Sequence, residues 1–205
     1  MSGPRYAGSE APFLWSMALF EDIYRRIVLG IAAAGPVQRL LKRNGWRLGV
    51  KRFVAGENLS EAIEVLQQLD RAGHRSILDL LGEFAQSREA VGDIVNQVLI
   101  TLDRLGTVDM QRQMSVKPTQ LGLGISPELA LGNAVAIASR AQRLGVHLCL
   151  DMENHPYTDG TLALLAALHE RGFSDVSTVL QSYLHRSPAD LAELVRRFPD
   201  SQVRI

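Results

Sequence analysis

The chain has 205 residues, 46% hydrophobic and 21% charged, an ordinary globular composition with enough length to bury a core. Its 22 basic residues balance 22 acidic ones, so no electrostatic footprint points to nucleic acid. A lone cysteine, Cys149, excludes an intramolecular disulfide and fits a reducing compartment.

The polar opening MSGPRYAGSEAP shows no secretory signal and reads as disorder over 1–12. Phe13 to Ala34 carries helical periodicity that breaks at Gly35-Pro36. Within it, Ile27–Val37 is apolar but far short of the roughly 20 residues a spanning helix needs. It reads as a helix packed on the body of the protein. Val37–Gly45 is a short basic helix, and Lys42, Arg43, Arg47, Lys51 and Arg52 read as a solvated face rather than a nucleic-acid site. Asn58 or Ser60 can cap the next helix, with Ala62, Ile63, Leu66 and Leu69 as its apolar face and Gly73 closing it. These helices make a segment 13–73 that precedes a second region, 74–205.

In that second region the period changes and a repeat begins. SILDLLGE (76–83) reads as a strand, with a helix over 87–105 after it. QMSVKP (113–118) is a strand leading to a helix over 127–144. HLCLDME (147–153) leads to a helix over 159–171, and VSTVLQSYL (176–184) to one over 188–198. Gln202 to Ile205 reads as the start of a fifth strand. Ser126-Pro127 and Ser187-Pro188 each read as a cap residue with proline at the first helical position. Near-continuous apolar strands alternating with amphipathic helices predict a parallel sheet with right-handed crossovers. The expected architecture is α/β, a partial (β/α)8 TIM-like barrel of about four and a half units. No Gly-x-Gly-x-x-Gly turn follows any of these strands, which disfavours a dinucleotide-binding Rossmann domain.

In parallel α/β folds ligands bind at the carboxyl ends of the strands. Those ends carry Asp79 and Glu83, Lys117, Asp151 and Glu153, and Gln181 and Tyr183. A charge ending an apolar strand is costly to bury unless it is paired or used. A ring of structural ion pairs is one reading, with Lys117 against Asp79 or Asp151. The other is chemistry: a lysine that holds a carboxylate or forms a Schiff base, and carboxylates that move protons or anchor cations. His155 has no second histidine at metal-ligand spacing, so no metal site is expected. His74, His147 and His169 read as surface or rim residues, and His185-Arg186 as a cap of the strand–helix junction, with a place near a bound phosphate as the alternative. Cys149, inside its apolar run, reads as packing.

The blocks RFVAGENLSEAI, LDLLGE, SVKPTQLGL, LDMEN and VLQSYL, in this order and spacing, resemble the proline dehydrogenases. The resemblance runs from Arg52 to Ile205. It implies a flavoenzyme on a distorted barrel that oxidises L-proline to Δ1-pyrroline-5-carboxylate, with FAD accepting the hydride and a quinone taking the electrons. Carried over by position, Lys117 binds the proline carboxylate, while Asp79 and Asp151 line the substrate pocket. Asp151 also tunes the field around the flavin and an arginine. Met152, Val179 and Gln181 are the expected flavin contacts. Pro118 stands where the family has leucine, and Asn154 where an acidic residue is usual. The resemblance further implies a cytoplasmic protein, compatible with peripheral membrane association. The family pattern continues beyond Val203-Arg204-Ile205 into further strands and paired arginines. Self-association or a complementing carboxyl-terminal half is therefore expected, and the alternative is a non-catalytic half barrel serving as an oligomerising or regulatory module.

Overall fold

Strand–helix units repeat behind one capped helix in the computed structural model, which describes Gly30, Gly35 and residues 54–82 and 85–205. The chain divides into two compact units, Met1–Ala55 and Gly56–Ile205. The helices expected over 13–34 and 37–45, the basic cluster and Glu83 lie outside the described residues, although Gly30 and Gly35 are themselves helical.

Helix α1 (Leu59–Arg71) opens on Asn58, whose side-chain oxygen accepts from the Glu61 amide at 3.1 Å. Of the two candidate caps, Asn58 is therefore the one used. Ala62, Ile63 and Leu66 are buried, whereas Leu69 is partly exposed. Gly73 ends the helix with φ +80°, the left-handed conformation that only glycine adopts without strain.

The repeat then runs β1 (Leu78–Asp79), α2 (Arg88–Gly106), β2 (Gln113–Val116), α3 (Pro127–Leu144) and β3 (His147–Leu150). A 3-10 turn (His155–Tyr157) leads into α4 (Thr158–His169), followed by β4 (Val176–Val179), α5 (Ser187–Arg197) and β5 (Val203–Arg204). The strands form one five-stranded parallel sheet in the order β1-β2-β3-β4-β5. This is the expected α/β partial barrel.

Each strand is shorter than its apolar run suggests. A ladder needs a neighbour, and past Asp79, Val116, Leu150 and Val179 the chain turns away to the helices. Leu81, expected inside the first strand, is 71% exposed for that reason. Among the described residues, β1 and β5 each have a neighbour on one side alone.

Alternation separates the two faces of the sheet. Met114, Val116, Leu148, Leu150 and Val176 pack under the helices with Val98, Leu102, Leu105, Ile137 and Leu165. Fully burying a side chain of this size stabilises by about 1.5–3 kcal/mol, so this layer fixes the sheet. On the other face the in-register row is Ser115, Cys149 and Ser177, small and buried. Lys117, Asp151 and Val179 follow two residues later, so the same alternation carries them to that face.

Helix α3 starts as its Ser-Pro signal predicts: Ser126 Oγ accepts from the Leu129 amide at 3.2 Å, and Gly145 closes the helix at φ +61°. Helix α5 does not. Ser187 is already helical, and its hydroxyl donates to the Gln181 carbonyl at 2.6 Å. The turn between Gln181 and Leu184 brings that carbonyl within reach, and an acceptor in the preceding loop wins over the helix end.

Candidate active site

The carboxyl ends of the strands carry a row of alternating charge. The Lys117 ammonium donates to Asp79 Oδ2 at 2.6 Å and lies 3.6 Å from Asp151 Oδ2. The other oxygen of Asp151 accepts from the Arg204 guanidinium at 2.5 Å. The sequence-expected trio Asp79, Lys117 and Asp151 thus converges, and Lys117 pairs with both carboxylates. Arg204, absent from the sequence-based candidates, joins the row because β5 lies beside β4 with Arg204 in register with Val179. From there its long side chain reaches past the end of β4 to Asp151.

The Lys117, Asp79 and Asp151 side chains are 25%, 33% and 22% exposed. They are screened enough to hold geometry and open enough to meet a ligand. Asp79 Oδ1 is buried and has no hydrogen-bond partner among the described residues. An orphaned carboxylate oxygen beside a paired ammonium is an acceptor with unused capacity.

Pro118 replaces no ladder bond, since β2 ends at Val116. Its carbonyl accepts from the amides of Leu121 and Leu123, and the Lys117 carbonyl from that of Gln120. A tight turn is thereby built directly after the lysine.

Glu153 is engaged on both oxygens. The Thr119 amide donates at 2.9 Å and the Thr119 hydroxyl at 2.7 Å. Gln181 is half-buried and its amide donates to the Glu153 carbonyl at 3.4 Å. Val179 is half-buried beside Arg204. Met152 is half-buried and packs against the hydrophobic core. Tyr183, 77% exposed, stands apart from these groups.

The histidines lie elsewhere. His147, which reads from sequence as a surface or rim residue, is largely buried at the opposite end of β3, between Asp175 (2.7 Å) and Ser177 (2.8 Å). His169 pairs with the Val176 carbonyl and lies against Phe198. Arg186 is held by Asp159 at 2.6 Å and Asp190 at 2.7 Å, carboxylates that raise its affinity for its proton. Arg186 stands at the cap position of α5, but its side chain makes these ion pairs in place of the expected capping hydrogen bond. Burial pushes the Cys149 thiol up, with Ser177 opposing, so it remains a packed thiol at neutral pH. Among the described residues no group of three His, Cys, Asp or Glu side chains could hold a metal ion, and no helix is long and apolar enough to cross a membrane.

Comparison with known proteins gives a consistent result. The family model described as proline dehydrogenase matches residues 62–205. A proline dehydrogenase of Deinococcus radiodurans is 37% identical over 180 residues, which cover 86% of this chain and 58% of that protein. Proline dehydrogenase 1 of Bacillus subtilis is 29% identical over 170 residues, covering 83% of this chain and 56% of that one. The chain thus spans little more than half the length of these curated relatives. Among solved structures, proline utilization A of Bdellovibrio bacteriovorus, inactivated by N-propargylglycine, superposes with a TM-score of 0.65 at 23% identity. That match covers 70% of this chain and 18% of the larger one. At that identity the likeness concerns the fold.

Proposed function

The chain belongs to the proline dehydrogenase family, and from that premise we propose that it oxidises L-proline to Δ1-pyrroline-5-carboxylate, with FAD as hydride acceptor and a quinone as the final acceptor. The observation that carries this reading is the alternating row Asp79, Lys117, Asp151, Arg204. Two carboxylates and two cations in alternation complement a zwitterion better than a simple anion or cation. Lys117 takes the substrate carboxylate. The unpaired Asp79 oxygen and Asp151 offer acceptors to the ring ammonium.

Lys117 is bridged by two anions, its nitrogen committed to Asp79 and Asp151 as the fixed cation of the row, and that engagement argues against a Schiff-base role. Asp151 in turn is oriented from both sides, by Lys117 and Arg204. The protein's part is to hold proline in one pose and to balance charge as its nitrogen loses a proton and its C5 a hydride.

The residues present fit a flavin. Val179 offers an apolar surface, Gln181 an amide and Arg204 a guanidinium at the carboxyl ends of β4 and β5, a mixture suited to a flat ring with an apolar face and a polar rim. Met152 leans on the core and so meets the flavin at most by its edge. Bound there, the flavin supplies the two-electron acceptor.

Proline-dependent reduction of an electron-accepting dye by the FAD-loaded protein tests the proposal. Turnover that vanishes in Lys117→Met supports it. Dye reduction independent of proline, or none at all, counts against it.

A further inference from the structure

We propose that Glu153 is a positioning residue, the hub of a hydrogen-bonded belt that sets the charged row. By its place at a strand end its carboxylate suits acid–base work. The geometry points elsewhere, because Thr119 occupies both of its oxygens, at 2.9 and 2.7 Å.

The belt joins consecutive strand-end loops. From the first, the Leu80 carbonyl accepts from Gln120 Nε2 at 3.5 Å. From the second, Thr119 donates twice to Glu153 on the third. The Glu153 carbonyl accepts from Gln181 on the fourth at 3.4 Å, and the Gln181 carbonyl from Ser187 at 2.6 Å. The links are unequal. Those at 3.4 and 3.5 Å are weak by length, whereas the Thr119 pair ends on a carboxylate and is charge-assisted.

Thr119 and Gln120 are each 2% exposed, so the lost carboxylate could not be replaced freely by solvent. Glu153 stands two residues after Asp151, and Thr119 two after Lys117. The Lys117 carbonyl accepts from the Gln120 amide at 2.9 Å, which ties the lysine into the same turn. Clamping Thr119 to Glu153 therefore fixes the register of Lys117 against Asp151 without Glu153 touching substrate. The consequence for proline rests on the function proposed above; the clamp itself does not.

The test compares the full chain with Glu153→Gln, Glu153→Ala and Thr119→Val, by amide hydrogen exchange and by calorimetric titration with L-proline of the FAD-loaded proteins. Glutamine keeps an acceptor for the Thr119 amide and a donor for its hydroxyl. Exchange at 117–123 should rise about tenfold in Glu153→Ala and stay within about threefold of wild type in Glu153→Gln. Proline affinity should follow the same order. If the alanine variant does not fold, Thr119→Val, which removes the hydroxyl bond alone, should give a smaller rise in the same segment. Unchanged exchange in both Glu153→Ala and Thr119→Val overturns the proposal. So does a glutamine variant as impaired as the alanine one in proline binding with exchange at the wild-type rate, since charge rather than position would then matter. If wild type binds no proline, the functional reading fails while exchange still decides the clamp.

Discussion

Replacing Lys117 by methionine is the perturbation that bears most directly on the charged row. Methionine keeps much of the stem and removes the ammonium, leaving Asp151 with Arg204 alone and Asp79 without its paired cation. At an effective dielectric near 20, unit charges at 2.6 and 3.6 Å attract by roughly 6 and 5 kcal/mol before the cost of desolvation. With the three side chains about a quarter to a third exposed, most of that attraction is offset by lost hydration. A net loss of about 1–2 kcal/mol in stability is expected, which lowers the melting temperature by roughly 2–8 °C for a chain of this size.

The effect on ligand is larger than stability alone suggests. One charge-assisted hydrogen bond to the proline carboxylate is worth about 1.5–3 kcal/mol, or roughly 10–150-fold in Kd. The excess negative charge left behind works in the same direction. Titration of the FAD-loaded variant with L-proline, beside a thermal melt, reads both quantities. A Kd within about threefold of wild type, in a variant that still folds, refutes the assignment of Lys117. Loss of bound flavin at unchanged proline affinity refutes it too, by moving the lysine to the cofactor.

Other consequences follow from the same structure. Leu165, fully buried between helix and sheet, should cost about 2–5 kcal/mol when cut to alanine, seen as a lower urea midpoint at unchanged slope. Gly122→Ala should strain the turn after Lys117: φ is +102°, and a Cβ there would meet Leu129 Cδ2 at 2.7 Å. A loss of about 1–3 kcal/mol with weakened proline binding is expected from denaturation and titration. The Ser126 hydroxyl, then the Glu128 amide, hold the Glu128 carboxyl below its usual range. A depressed carboxylate stabilises the fold above its unfolded value, near 4.3, and that contribution is lost as pH falls through the folded value. Ser126→Ala should lower stability at neutral pH by about 1 kcal/mol through the lost cap. It should also flatten the acid limb of a melting-temperature profile.

How much of this was legible in the sequence depended on where each cause lies. The strands at Leu78, Met114, Leu148 and Val176 were legible because burial on the helix face demands apolar residues locally. The Ser126 cap was legible because its acceptor role is satisfied three residues away. The same Ser-Pro signal at Ser187 misled, since its acceptor is the Gln181 carbonyl, placed by a turn that has no strong local signature. Strand ends were overextended because pairing stops where a neighbour turns away, a property of two segments at once.

At the site, charged residues ending apolar runs announced Asp79, Lys117 and Asp151. Arg204 was invisible because its partner lies 53 residues earlier in the chain, brought near by the sheet order alone. Thr119 carried no signal of its own. A threonine after Lys-Pro is commonplace, and its importance comes from Glu153 standing opposite.

The most direct test of the central claim is the visible absorption spectrum of the FAD-reconstituted protein before and after L-proline. The account predicts a bound flavin whose absorption bleaches when proline is added. A protein that takes up no FAD, or whose flavin is indifferent to proline, would contradict it.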